Sequence, residues 1–186
     1  MNVEEIRSHT PLIKEGYVYL DHAGGSPPPI QVVNAIKEYL ETLVRTGPIT
    51  PHFYDWSLNQ VLEAKRELAK FIGAKTADEI AFTKSGSEAI GIIVEGIKWK
   101  KEDGVVISSL EITSSFVPFL RLKKKFGVNL KVVNPNDNGI IDLNKLENAI
   151  SEKTRMVCLI HVSNAIGTIQ PIKEVGKLAE EYGFLY

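Results

Sequence analysis

Ser85-Gly86-Ser87 has the residue types to hold a phosphate-sized anion. It sits within Glu79-Ile80-Ala81-Phe82-Thr83-Lys84-Ser85-Gly86-Ser87-Glu88-Ala89-Ile90, where a short apolar run passes directly into a helix-like pattern. Gly86 lets the backbone approach an anion closely. The free N–H groups of the next turn point toward it, and the helix dipole favours negative charge there. Ser85 and Ser87 can add hydroxyl donors. The same residues also describe a plain strand–turn–helix link, with Ser as N-cap and Glu88 in the first turn.

Such a turn needs a scaffold, and the chain supplies alternating elements. Tyr17 to Leu20 reads as a short strand that runs into the loop Asp21-His22-Ala23-Gly24-Gly25-Ser26-Pro27-Pro28-Pro29. Ile30, Val33, Ile36, Leu40 and Leu43 give the next segment a helical apolar face, broken at Thr46 to Pro51. A second helix is expected from Trp56 to Ile72, ended by Gly73. Strands then alternate with helices. The strands are Ile80–Thr83, Val105–Ser108, Leu130–Val133 and Met156–Ile160. The helices are Glu88–Trp99, Phe116–Phe126, Leu143–Ile150 and Ile172–Tyr182. Phe184-Leu185-Tyr186 opens another strand. This alternation predicts an α/β fold, a mostly parallel sheet with helices on both faces. Ligands of such sheets bind at the carboxyl ends of the strands. The turns Ser85–Ser87, Glu111–Ser115 and Ser163–Gly167 all fall there. Residues 1–50 read as an N-terminal arm and helix, and residues 51–186 as the first part of a larger domain.

Composition narrows the function classes. The 186 residues are 44% hydrophobic and 24% charged, the profile of a globular protein with a real core. A net charge of −1 provides no field for nucleic acid or anionic lipid. The Lys98–Lys101 and Lys123–Lys125 runs sit near helix ends, where cations suit the dipole. The single cysteine, Cys158, lies in the apolar run Met156–Ile160 and reads as a buried, inert thiol. It leaves no disulfide or Cys-based metal site, and no metal site is expected. The N-terminus lacks a signal-peptide apolar core, and no run approaches membrane-spanning length. A cytoplasmic setting is the expectation.

Three motifs in order resemble those of class V aminotransferases and cysteine desulfurases, pyridoxal-phosphate enzymes of fold type I. Tyr19-Leu20-Asp21-His22-Ala23-Gly24-Gly25-Ser26-Pro27 is similar to their "YLDNAATTP" signature. Phe82-Thr83-Lys84-Ser85-Gly86-Ser87-Glu88-Ala89 is similar to their phosphate loop, "FTSGATEA". His161 to Ile172 resembles "HVSNxxGTxxPI". The resemblance implies that Gly86 and Ser87, with Ser85 beside them, bind the phosphate of pyridoxal 5'-phosphate. It implies that Asn164 hydrogen-bonds the 3′-oxygen of the ring. The loop at Ala23-Gly24-Gly25, with His22 in place of the usual asparagine, would admit the carboxylate of an amino-acid substrate.

The turn Glu111-Ile112-Thr113-Ser114-Ser115-Phe116-Val117-Pro118-Phe119 aligns with "EHHxNxVPW", where desulfurases stack a histidine on the ring. Ile112 stands at that place. It can cap the ring by dispersion but cannot move protons. Since other branches of the family carry an apolar residue there, Ile112 points toward an epimerase-like or transaminase-like branch. The family's aspartate partner of the pyridine nitrogen and its Schiff-base lysine fall beyond Tyr186, and Lys84 is not at the aldimine position. No catalytic residue is therefore assigned within the chain. The resemblance implies the N-terminal half of an enzyme, completed by a second polypeptide, by its own C-terminal half, or within a homo-oligomer. The rival reading is a catalytically inactive truncated product that serves as a binding or interaction module. A dinucleotide-binding domain is disfavoured, because no GxGxxG follows a strand.

Overall fold

The computed structural model describes residues 2–186. Contacts divide the chain into two compact units, Met1–Phe82 and Thr83–Tyr186.

The first unit is helical. Val3–Ser8 forms α1, capped by Asn2, and Pro11–Lys14 forms α2. Neither short helix was expected from periodicity. Ile30–Thr46 forms α3 and Pro51–Ile72 forms α4. The second of these starts earlier than the apolar pattern suggested. Thr50 accepts a hydrogen bond from Phe53 N–H, and Pro51 takes the first helical position, where its missing donor costs nothing. Tyr39 of α3 packs against Phe53 and Trp56 of α4, with ring centroids 5.5 and 6.0 Å away. Burial is nonetheless thin. No α3 residue is buried, and only Phe53 and Ala69 of α4 are. Ile36, Leu40, Val44 and Phe71 are exposed.

Two expected strands are corrected here. Tyr17–Leu20 and Ile80–Thr83 belong to no strand among the described residues. Val18 and Leu20 are 85% and 88% exposed. A turn of 3₁₀ helix, Ala77–Glu79, leads to Ile80, whose backbone is extended but unladdered. β-Favouring side chains select extended backbone, but a strand also needs a neighbour to receive its N–H and C=O groups. These two segments lack one.

The second unit carries the sheet. Gly86–Gly96 forms α5, Gly104–Ser108 β1, Thr113–Phe126 α6, Asn129–Val133 β2, Leu143–Ala149 α7, Thr154–Cys158 β3 and Ile172–Tyr182 α8. The three strands are parallel in the order β2-β1-β3. Leu185 begins a further parallel pairing beside β3, where Val157 N–H donates to Leu185 O at 2.9 Å. The opening strand expected at Phe184–Tyr186 is thus seated.

Every residue of β1 is buried, as a central parallel strand requires. Its side chains alternate between two cores. Val105 and Ile107 join Val94, Trp99, Phe119, Leu122 and Met156 beneath α5 and α6. Val106 joins Val133, Ile141, Leu146, Val157 and Val175 beneath α7 and α8. Helices therefore cover both faces. Gly104 allows the closest approach of β1 to β3: a Cβ there would lie 3.1 Å from the Thr154 Cα.

Candidate functional site

The start of α5 is built by short-range chemistry. Ser85 has extended backbone, and its Oγ accepts a hydrogen bond from Glu88 N–H at 3.2 Å. Glu88 reaches back, its Oε2 accepting from Lys84 N–H at 2.6 Å. This reciprocal cap satisfies two donors. The N–H groups of Gly86 and Ser87 have no partner among the described residues. Both residues are exposed. Ser85 spends a lone pair on the cap and keeps its hydroxyl proton to donate. The cap and the anion site are therefore compatible. Gly86 has no positive φ, and a Cβ built on it meets nothing within 4 Å. Neither backbone strain nor packing calls for glycine here; its effect is to leave the space before the two free donors open.

Ile112 is the N-cap of α6, two residues beyond Leu110, and is 42% exposed. Helix α6 begins at Thr113 rather than at Phe116, and it packs along α5. A cavity of about 720 Å³ opens between the two helices. Ser87 and Gly91 line it from α5, and Thr113, Ser114 and Val117 from α6. The cavity runs on along both helices to Trp99, Lys125 and Phe126, and of the expected cofactor residues only Ser87 lines it: Ser85, Gly86 and Ile112 do not, nor does Asn164. Asn164 is exposed at the tip of a tight hairpin after β3, in which Val162 pairs with Ile169. Ser163 N–H donates to Thr168 O at 3.0 Å and Gly167 N–H to Ser163 O at 2.8 Å, closing the tip. Because β1 and β3 are parallel neighbours, the turns carrying Ile112 and Asn164 leave the same edge of the sheet.

Two residues without an expected role hold these turns. Glu111 Oε1 accepts from Ile160 N–H and from Ser108 Oγ, the latter at 3.2 Å, and Oε2 lies 4.0 Å from Cys158 Sγ. Gln170, only 2% exposed, donates through Nε2 to Gly139 O at 2.9 Å and accepts from Ile141 N–H at 2.9 Å. It ties the base of the Asn164 hairpin to the loop before α7. The available signal was a polar side chain set in an otherwise apolar strand-end segment. Burial pushes the Glu111 carboxyl above its ordinary range, against the lowering effect of its Ile160 and Ser108 hydrogen bonds. Burial, then the Glu111 charge, pushes the Cys158 thiol up to about 12. Tyr186 is raised to about 12 by burial and by the same two neighbours.

The Cys158 shift carries a sign. The folded state holds the thiol's proton more tightly than the unfolded chain does. Its contribution to stability is full below the ordinary thiol value of 9.0 and is lost as pH rises toward about 12. At pH 8 the native thiol should resist alkylation, whereas the denatured chain should take up one equivalent. Native labelling at the rate of a free thiol would contradict the burial.

The loop His22–Gly25 belongs to the first unit. Asp21 organises it: Oδ1 accepts from Gly24 N–H at 3.0 Å, and the Asp21 carbonyl accepts from Gly25 N–H at 3.2 Å. A Cβ at Gly24 would come within 2.6 Å of the Asp21 carboxylate, so a larger residue there would have to push that side chain aside. His22 Nδ1 lies 3.1 Å from Ser26 Oγ, and Tyr19 Oη donates to Gly25 O. Ala23, Gly24 and Gly25 are exposed. Among the described residues, no helix is long and apolar enough to cross a membrane.

A parallel sheet between two helical layers, with a free helix N-terminus at its carboxyl edge, is the frame on which pyridoxal-phosphate enzymes of this type are built. The model of the family Aminotransferase class-V matches residues 18–186, and the chain belongs to that family. It is 40% identical, over 187 residues, to a probable cysteine desulfurase of Methanothermobacter thermautotrophicus, covering 100% of this chain and 46% of that protein. A probable cysteine desulfurase of Pyrococcus abyssi is 33% identical, with 98% and 46% covered. The apo cysteine desulfurase of Thermococcus onnurineus NA1 superposes with a TM-score of 0.86 at 32% identity, over 98% of this chain and 46% of that one. The chain thus spans about half the length of the relatives it matches. Pyridoxal phosphate is the cofactor of this family. C-DES, a likeness in fold alone at 18% identity and a TM-score of 0.81, is seen with glycine covalently linked to it.

The residues present suit that cofactor. Two unpaired N–H groups beside an unobstructed glycine are donors of the kind a phosphate needs, and an exposed isoleucine and an exposed amide are of the types that would suit a ring and its oxygen.

Proposed function

We propose that this chain supplies the phosphate-holding and ring-holding surfaces of a pyridoxal-phosphate enzyme that acts on an amino acid. The observation that carries it is the open start of α5, with Gly86 and Ser87 N–H free. Bound there, pyridoxal phosphate supplies an electron sink for bond changes at an amino acid's α-carbon. The chain's own work is binding and orientation. Gly86, Ser87 and the Ser85 hydroxyl hold the phosphate. Ile112 covers one face of the ring, and the Asn164 amide donates to the ring oxygen. His22, Ala23, Gly24 and Gly25 receive the substrate carboxylate. The domain layout is read as residues 1–50 for the arm and helix and 51–186 for the first part of the large domain.

The remaining groups come from residues outside this chain, in a second polypeptide, a C-terminal continuation or a homo-oligomer. Half-length coverage of the relatives supports this. The exposed apolar face of α3 and α4 supports the rival reading of an interaction module. The names of the relatives favour cysteine as the amino acid, whereas Ile112, apolar where desulfurases stack a histidine, favours the epimerase-like or transaminase-like branch. A lone, half-buried cysteine supports a reducing, cytoplasmic setting.

Asn164→Ala tests the shared site. Losing a donor to a charged oxygen costs about 1.5–3 kcal/mol, so pyridoxal phosphate should bind roughly 10- to 100-fold more weakly. Absorbance titration reads this directly. Equal affinity in the variant and the wild type would remove Asn164 from the site.

A further inference from the structure

One side chain grips both turns on which the ring would rest. Glu111 directly precedes Ile112, and its carboxylate does not face solvent freely. Oε1 accepts from Ile160 N–H, on the segment leaving β3, and from Ser108 Oγ at the end of β1. Oε2 faces the Cys158 thiol at 4.0 Å. Ser108 in turn accepts from Leu110 N–H at 3.0 Å, which tightens the turn that delivers Glu111. Asn164 lies only four residues beyond Ile160. The turns after β1 and β3 are therefore joined by a carboxylate as well as by the sheet, and at the residues nearest Ile112 and Asn164. No comparable side-chain link ties the Ser85–Ser87 turn to either of them among the described residues.

We propose that Glu111 is a positioning residue that sets the spacing between Ile112 and Asn164, and hence the slot for the cofactor ring. It leaves the phosphate turn untouched. The inference rests on the reading of the ring site given above. Its physical basis is reach rather than charge: the acceptor must span from the β1 turn to Ile160 N–H. A glutamine keeps that reach and an acceptor oxygen. An aspartate keeps the charge but is one methylene short. Alanine loses both.

The test compares Glu111→Gln, Glu111→Asp and Glu111→Ala in this chain. Pyridoxal phosphate and inorganic phosphate serve as separate probes, and hydrogen exchange is followed at the Ile160 amide. Glu111→Ala and Glu111→Asp should each lose at least about tenfold in pyridoxal phosphate affinity and lose protection at Ile160. Both should bind inorganic phosphate as the wild type does. Glu111→Gln should restore cofactor affinity to within about threefold of wild type. Three results would overturn the proposal. One is Glu111→Ala binding pyridoxal phosphate normally. Another is phosphate affinity falling in parallel, which would make Glu111 merely structural. The third is Glu111→Asp rescuing where Glu111→Gln does not, which would make charge the operative property. A wild-type chain that binds pyridoxal phosphate no better than inorganic phosphate would instead sink the ring site itself.

Discussion

Gly86→Val should weaken the binding of pyridoxal phosphate roughly 100-fold while leaving the fold in place. The open space before Gly86 is what an anion would occupy, and a branched side chain would fill it. Two charge-assisted hydrogen bonds, from Gly86 and Ser87 N–H, would be lost together. At about 1.5 kcal/mol each, that is roughly a 100-fold drop in affinity. The built Cβ meets no atom within 4 Å and the residue's φ is not positive, so neither packing nor backbone geometry resists the change. The melting temperature should therefore stay close to wild type. Titration by absorbance and calorimetric melting would be run on the same preparation. Retained affinity would mean that the phosphate is held elsewhere. Lost affinity with a collapsed melting transition would mean that Gly86 serves the fold instead.

Phe119→Ala should produce the largest loss of stability. Phe119 is 1% exposed in the core beneath α5 and α6, among Val94, Trp99, Ile107 and Leu122. Removing a buried phenyl ring costs about 3–5 kcal/mol through lost transfer energy and the cavity left behind. That is a large share of the roughly 5–15 kcal/mol that holds a domain folded. Leu120, the next residue on α6, is 48% exposed and provides the control. Leu120→Ala should change stability by less than about 0.5 kcal/mol. Urea unfolding followed by circular dichroism would measure both. Comparable losses in the two variants would place the core on the wrong face of α6. Because α6 also carries Ile112 at its start, Phe119→Ala should weaken cofactor binding through the helix it unseats.

Much of the second unit was readable from the sequence. Val105-Val106-Ile107 is a continuous apolar run because both faces of a central parallel strand are covered, whereas its neighbour β2 is interrupted by Lys131 and buried only at Val133. Ser85 and Glu88 announce the start of α5 because capping uses groups three residues apart. Helix starts were less legible where the apolar pattern begins late. Thr50 and Pro51 start α4 a full turn ahead of the first apolar-periodic residue, and Ile112 caps α6 with no hydrogen-bonding side chain. The family membership was likewise legible, because three motifs in fixed order are hard to produce by chance.

What the sequence determined by itself was local or periodic: the alternation that makes a parallel sheet between helices, the cap at Ser85, the open glycine at 86 and the tight turn that Asp21 folds around Gly24. Each depends on groups within a few residues of one another, so side-chain chemistry and backbone geometry suffice. Only the tertiary structure decided which extended segments become strands. Tyr17–Leu20 and Ile80–Thr83 have strand-like residues but no ladder, while Leu185 finds β3. The tertiary structure also decided that Glu111 would reach Ile160 and that Gln170 would hold Gly139, pairs 49 and 31 residues apart. A strand partner and a long-range acceptor are properties of what the fold brings alongside, and spacing along the chain does not encode that distance.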